Sequence, residues 1–273
     1  MSDTAPLEPL ELLYEADSVP RIALPAELAR LHGGDLGIDE PCLYANFVAT
    51  LDGVVAIPPL PRSNEFIAQG SDADRFLVGL LRAFADVVLI GSGVLRASPR
   101  GTWRPDKVFP PAAAAYAELR RGLGVSAAPE VAVLTGTGSI DPDHPLLEAG
   151  ALVLTSTAGA DLLEGRLPRA STIVALGGSS TIVAEAIVGA LHDRGHRRVL
   201  CEAGPHTFGG LLAAGVVDEL FLTTSPLLVG DGEPGSRFRL VEAADLAGAA
   251  AQARLVSLRR HGSHLFHRYV LER

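Results

Sequence analysis

The sequence predicts an α/β fold with a mostly parallel central sheet, helices on both faces and a C-terminal antiparallel hairpin. Two observations predict the sheet. Between Ser71 and Gly215, short apolar runs alternate with segments of helical periodicity. Those runs are continuous in apolar residues, as strands covered on both faces must be. A third observation predicts the hairpin: residues 254–260 and 263–271 read as strands on either side of His261-Gly262.

The elements follow in order. Residues 1–40 read as a leader segment with one short helix around 26–31, and residues 41–273 as the main domain. Pro, Gly and Asp punctuate the leader, and its expected role is packing against the domain or a partner subunit. Leu43-Tyr44-Ala45-Asn46-Phe47-Val48-Ala49 reads as a strand, followed by the turn Leu51-Asp52-Gly53. Pro58, Pro59 and Pro61 then predict a loop to about Gly70. Ser71 opens a helix, with Asp74 in a near capping-box position. Phe76, Leu77, Leu80, Leu81 and Phe84 give it a buried face, and Asp86 ends it.

Val87-Val88-Leu89-Ile90 reads as a buried strand closing on Gly91-Ser92-Gly93. A helix over 113–123 leads to the strand Val131-Ala132-Val133-Leu134 and then Thr135-Gly136-Thr137-Gly138. Ala151-Leu152-Val153-Leu154 ends in Thr155-Ser156-Thr157, and the strand over 172–176 ends in Gly177-Gly178-Ser179-Ser180. Ile182, Val183, Ala186, Ile187, Ala190 and Leu191 form the apolar face of the next helix. A strand over 198–201 ends in Glu202-Ala203-Gly204-Pro205, a short helix covers 207–214 with Gly215 as its stop, and 217–224 is a strand.

Composition excludes several function classes. The 273 residues are 48% hydrophobic and 20% charged, close to globular averages. The net charge is −9, and no basic cluster exceeds Arg197-Arg198 or Arg259-Arg260. A nucleic-acid partner is therefore not expected, although local arginines can hold a small phosphorylated ligand. Lys107 is the only lysine, which argues against Schiff-base chemistry and a P-loop. The two cysteines, Cys42 and Cys201, sit in apolar strands and read as buried free thiols. No stretch resembles a signal peptide or a membrane span, so the expected compartment is the cytoplasm.

Ligands of open α/β sheets bind beyond the C-terminal strand ends. Five successive strand ends here carry Gly, Ser or Thr: Gly91-Ser92-Gly93, Thr135-Gly136, Thr155-Ser156, Gly177-Gly178 and Gly204-Pro205. Small residues let phosphates reach backbone N–H groups, and helix N-termini add a favourable dipole. Such turns are also rich in Gly and Ser for conformational reasons alone. Taken together, the five suggest a long polyanionic ligand such as a dinucleotide. No G-x-G-x-x-G, P-loop or G-x-S-x-G motif is present. The histidines lack metal-ligand spacing, so no metal is expected. Glu202 follows a buried strand, where it can orient a substrate amide or cap the following helix. Arg82 can hold a substrate phosphate or pair with an acid, and Asp218-Glu219 reads as structural before an exposed strand.

Cys201-Glu202-Ala203-Gly204-Pro205, the stretch from Gly209-Gly210 to Asp218-Glu219-Leu220, and Ser225-Pro226-Leu227-Leu228-Val229-Gly230 together resemble the C-terminal reductase domain of the bifunctional riboflavin-biosynthesis deaminase–reductase. Ala49-Thr50-Leu51-Asp52-Gly53, Leu81-Arg82-Ala83-Phe84-Ala85-Asp86 and Ile90-Gly91 agree with it, and the resemblance covers roughly 41–272. It implies a dihydrofolate reductase-like fold, a stand-alone pyrimidine reductase-like member and hydride transfer from NADPH to the ribosyl group of an aminopyrimidine phosphate. The candidate cofactor-binding residues are Ala49, Gly91, Gly93, Thr135, Thr155, Gly204, Pro205, His206, Thr207, Phe208, Gly209 and Gly210. Asn46, Arg82, Ser98 and Glu202 are the candidate substrate-binding residues, with Glu202 the candidate catalytic one. Val94 and Ser98 stand where the family usually carries threonine and aspartate, and Ala203-Gly204 where many relatives carry Gly-Gly. The readings left open are an NADPH-dependent reductase of a pyrimidine, pterin or folate, a non-catalytic dinucleotide-binding protein, and a non-redox enzyme using the same pocket. A small-molecule substrate and a homodimer, with residues 254–271 contributing to the contact, complete the expectation.

Overall fold

Backbone hydrogen bonding along the apolar runs joins them into one large sheet in the computed structural model, which describes residues 7–58, 60, 62–178, 182–247 and 252–272. The strands are β1 (Glu11–Glu15), β2 (Cys42–Ala49), β3 (Val54–Ala56), β4 (Val87–Gly91), β5 (Glu130–Thr135), β6 (Leu152–Thr155), β7 (Thr172–Ala175), β8 (Arg198–Cys201), β9 (Glu219–Thr224), β10 (Phe238–Arg239), β11 (Gln252–His261) and β12 (His264–Glu272). The helices are α1 (Ala26–His32), α2 (Ser63–Ile67), α3 (Asp72–Phe84), α4 (Ser92–Ala97), α5 (Pro105–Val108), α6 (Ala113–Gly122), α7 (Pro145–Ala149), α8 (Thr157–Leu163), α9 (Ala184–His192) and α10 (Pro205–Ala213).

Among the described residues the main sheet runs β1-β11-β12-β9-β2-β8-β4-β5-β6-β7. Neighbours from β9 to β7 pair in parallel, and β12, β11 and β1 add an antiparallel flank. Strand β8 enters last between β2 and β4. Its register is fixed by Asp86, whose carboxylate accepts the N–H groups of Arg197 and Arg198 at 2.8 Å each.

Alternation along β2 shows how the sheet separates two cores. Cys42 and Tyr44 face a cluster with α1, α3 and α6, whereas Leu43, Ala45, Phe47 and Ala49 face α9 and α10. Ser71 caps α3 by accepting from the Asp74 N–H at 3.2 Å. Buried Arg120 completes the other end of that helix. Its Nη1 donates to the carbonyls of Arg82, Ala83 and Ala85 at 3.2, 3.1 and 2.8 Å. These are helix-terminal acceptors that lack partners within the helix.

Several expectations need correcting. The leader contributes β1, which pairs with β11, so the hairpin is not the outer edge of the sheet. Leu10, Leu24, Leu28, Leu31 and Leu36 of the same segment are buried in the first core. The loop after the Asp52 turn contains β3 and α2; Pro59 and Pro61 lie outside the described residues, as do Ser179 and Ser180. Helix α10 starts at Pro205, two residues before the expected Thr207. Val183 precedes α9 and is exposed, leaving Ala184, Ile187 and Leu191 as the buried face. The strand after Asp218 is not exposed: β9 lies between β12 and β2, and its Glu219 forms a buried bidentate pair with Arg268. Both cysteines are free and buried, and burial pushes the Cys201 thiol up to about 12. Among the described residues no helix is long and apolar enough to cross a membrane.

Arg120→Ala should lower the unfolding free energy by about 3 kcal/mol, because it leaves buried carbonyls unpaired. Arg120→Lys should recover little, since an ammonium cannot reproduce the planar fork. Urea denaturation of both variants measures this.

Candidate functional site

A cleft of about 1260 Å³ opens beyond the C-terminal ends of β2, β8 and β4. Strand β2 supplies one wall. Asn46 and Val48 share the face of β2 that carries Tyr44, whose hydroxyl donates to the Leu81 carbonyl at 2.8 Å. Beyond that contact the same face turns from core to cleft. Helix α3 supplies the adjoining wall with Asp74, Val78 and Arg82, spaced one turn apart on one face.

Arg82 and Glu202 meet at this wall. Arg82 Nε donates to Glu202 Oε1 at 2.8 Å, and Nη2 donates to Oε2 at 2.6 Å. Their side chains are 14% and 10% exposed. Of the readings open for each residue, the structure shows the ion pair: Arg82 holds an acid, and α10 has no side-chain cap for Glu202 to provide. The fork leaves lone pairs on the carboxylate and N–H groups on the guanidinium. Together they offer acceptors and donors side by side, which suits the edge of a pyrimidine.

The opposite wall is the turn from β8 into α10. Gly204, Pro205, His206 and Thr207 line the cleft, and the N-terminus of α10 has no side-chain cap. Gly204 has φ −66°, which any residue adopts, and a Cβ there meets nothing within 4 Å. The fold does not demand this glycine; its bareness keeps the cleft open before the helix. Gly91 and Gly93 line the neighbouring turn after β4. Gly209 differs, because its Cβ would strike the Glu242 carbonyl. It serves packing.

The expectation that five strand ends share one groove needs correcting. Thr155 is fully buried and donates to the Thr135 carbonyl at 2.6 Å. Ser156 caps α8 by accepting from Gly159 N–H at 3.0 Å. Of the β5 end, Gly136 lines the cleft beside Leu134 while Thr135 does not; Thr155, Ser156 and Gly177-Gly178 do not line it either, since β6 and β7 lie too far along the sheet. Ala49 is buried in the second core, Phe208 packs on Phe47 with centroids 4.9 Å apart, and Gly210 is not among the residues lining the cleft. Asn46, Arg82, Ser98, Glu202, Gly91, Gly93 and residues 204–207 are the predicted site residues that converge.

Reading strand ends alone missed three features. The segment over 96–108 forms a wall, with Ser98 on it and its carbonyl held by His144 Nε2 at 3.1 Å. Four cations of the cleft were also missed: Arg62, Arg96, Arg100 and Lys107 line it together with Arg82, against the two carboxyls of Asp74 and Glu202. A chain of net charge −9 thus gathers positive charge in one hollow, which focuses anions there. Asp74 is the third. Burial, with the Glu202 charge, pushes its carboxyl up to about 6, against the Thr223 hydroxyl and Arg75. Its eight-residue spacing to Arg82, two helical turns on one face, was the available signal.

The turn Leu51-Asp52-Gly53 braces the far end of β2. Asp52 Oδ2 accepts from Gly230 N–H at 2.6 Å and Val229 N–H at 3.2 Å. The Thr50 hydroxyl beside Asp52 holds its carboxyl below the usual range. Two sequence stretches far apart are thereby one structural unit. Among the described residues no group of three or more His, Cys, Asp or Glu could hold a metal.

Removing one partner of the Arg82–Glu202 pair should cost more than removing both. Glu202→Leu should destabilise by about 2 kcal/mol, because a half-buried guanidinium loses its partner. The double variant Arg82→Met/Glu202→Leu should recover most of it, as read by urea denaturation.

Comparison with known proteins adds the family. The family model described as the RibD C-terminal domain matches residues 41–265. A 2,5-diamino-6-ribosylamino-4(3H)-pyrimidinone 5′-phosphate reductase of Archaeoglobus fulgidus is 25% identical over 194 residues, which is 70% of this chain and 83% of that protein. Among solved structures, a pyrimidine reductase-like protein from Corynebacterium diphtheriae has a TM-score of 0.64 at 20% identity, covering 92% of this chain and 96% of that one. RibD from Acinetobacter baumannii has a TM-score of 0.59 at 18% identity, covering 89% of this chain and 60% of that one. Both structures share the fold described above. With 225 of its residues under the family model, the chain belongs to the RibD C-terminal domain family.

Proposed function

We propose that this chain is an NADPH-dependent reductase of a ribosylaminopyrimidine 5′-phosphate. One observation carries the reading: a single cleft holds a bare, uncapped helix N-terminus on one wall and the Arg82–Glu202 fork on the other. At about 1260 Å³ it exceeds the roughly 300–1,000 Å³ of one-ligand pockets. Two ligands side by side account for that size. The named activity of the Archaeoglobus relative supplies the substrate class.

The residues fit the dinucleotide. The N–H groups of His206 and Thr207 would hold its pyrophosphate at the start of α10. Gly204, with Gly91 and Gly93 beside it, leaves room for that approach. When bound, the dinucleotide supplies the hydride. The chain supplies alignment: Arg82 and Glu202 fix the pyrimidine edge, Asn46 adds a neutral amide, and the cationic rim receives phosphate. Ser98 stands on that rim and donates or accepts without charge. The buried fork resists rotation, so the substrate meets a preorganised surface.

The reading includes a homodimer and a cytoplasmic setting. The outermost strand β1 exposes Leu12, Leu13 and Tyr14 by 45, 45 and 47%, an apolar edge that a second copy would cover. Sedimentation should give twice the chain mass, and Leu13→Lys should shift it to the monomer; a wild-type monomer at micromolar concentration contradicts this part. A reducing compartment suits the two free thiols.

Turnover tests the central reading. The protein should oxidise NADPH when given the ribosylaminopyrimidine phosphate. Gly204→Val should fold normally, since its side chain meets open space, yet weaken NADPH binding at least about tenfold, or ~1.4 kcal/mol. Calorimetric titration showing parental affinity in the folded variant would remove this turn from the site.

A further inference from the structure

We propose that Asp74 is a catalytic acid of this cleft, delivering a proton to the ribose ring oxygen of the substrate as that ring opens. The inference rests on the reading of the cleft as a ribosylaminopyrimidine site. Placement comes first. Asp74, Val78 and Arg82 form one stripe of α3 facing the cleft. Two helical turns and more, about 12 Å along the axis, separate the backbone of Asp74 from that of Arg82, and the Arg82 side chain leans back toward Asp74, near enough for the Glu202 charge to act on it. A substrate held by its pyrimidine at the fork therefore extends its sugar along the stripe toward Asp74.

Commitment comes second. Both oxygens of Glu202 are occupied by Arg82. Arg75, the cation beside Asp74 on α3, pairs instead with Asp72 at 2.6 Å. Asp74 forms no ion pair among the described residues. Of the two cleft carboxyls it is the one not bound by a cation.

Its surroundings come third. Asp74 is only 8% exposed. The charged groups acting on it are the Glu202 carboxylate from the end of β8 and Arg75 from its own helix, with the Thr223 hydroxyl from β9. Burial leads, and the carboxyl rises to about 6. A position in the first turn of a helix ordinarily favours the ionised form; here desolvation prevails. A group that shares its proton near neutral pH is matched to general acid work.

The step balances. A bound reduced nicotinamide would supply the hydride that forms a C–H bond at C1′ as the bond from C1′ to the ring oxygen breaks. That oxygen keeps the electron pair and takes the Asp74 proton. The ribosyl group becomes ribityl, the nicotinamide is oxidised, and the Asp74 carboxylate regains a proton from water.

The acid works when protonated, so kcat should fall as pH rises through about 6. Asp74→Asn, assayed with NADPH and ribosylaminopyrimidine 5′-phosphate, should lose about 100-fold in kcat below that pH, with KM within about threefold of the parent. The falling limb should disappear, and Asp74→Glu should restore part of the rate. The Asn variant should also melt at a higher temperature near about pH 8, because it removes a buried charge whose ionisation disfavours the fold. A readout without turnover is the Asp74 carboxyl carbon by NMR in the ligand-free protein. A midpoint near 6 supports the assignment; a midpoint near the ordinary value of about 3.9 overturns it. So does an Asn variant that keeps the parental kcat and the limb. Absence of turnover in the parent protein overturns the reading of the whole cleft, whereas turnover that ignores Asp74→Asn overturns the acid alone.

Discussion

The backbone N–H of Glu202 donates to the Leu89 carbonyl at 2.9 Å, while its carboxylate grips Arg82 through two hydrogen bonds. One residue thus joins the end of β8, the adjacent β4 and the helix α3. The cleft depends on this junction. Strand β8 is inserted between β2 and β4 after both have been laid down, so its end marks the centre of the parallel region. The connection leaving β4 runs over the face of the first core and the one leaving β8 over that of the second, and such divergence between adjacent strands leaves a crevice at their ends. Asp86 sets the register of β8, and Arg120 ties the end of α3 to α6. Both place Arg82 and Glu202 within reach of each other.

Electrostatics then divides the labour inside the crevice. Cations from α2's approach, α3, α4 and the following loop gather around two carboxyls, one of which is neutralised by pairing. Burial raises the other to about 6. The outcome is a hollow with more cations than anions, which favours anionic groups there. Glycine at 204 is retained where the fold does not need it, in contrast to Gly209 and Gly79, where a neighbouring carbonyl or the Tyr116 ring leaves no space for a side chain.

Much of the fold was legible in the sequence because strands buried on two faces must be continuously apolar. Val87-Val88-Leu89-Ile90 and Val131-Ala132-Val133-Leu134 announce themselves for that reason. Strand β1 does not: Glu11–Glu15 is largely exposed and is held by backbone pairing to β11, which leaves no periodic trace. The short α2 and β3 are likewise too brief to show a period. At the site, the turn after β8 could be read from glycines and from its resemblance to a known family. The ends of β6 and β7 could not be separated from it, and Thr135 and Thr155 look alike in sequence whether they face a ligand or each other. Only the order of strands in the sheet decides that. Asp74 was legible as a capping-box residue, and its place on the cleft wall emerges only when α3 is set against the sheet.

The account stands on the start of α10 as the place where the dinucleotide pyrophosphate is received. A crystal structure of the protein with NADPH tests this most directly. The account predicts the pyrophosphate against the His206 and Thr207 amides, with Gly204 beneath it and the nicotinamide turned toward the Arg82–Glu202 fork. NADPH bound elsewhere on the protein, with the α10 terminus left to solvent, would contradict it.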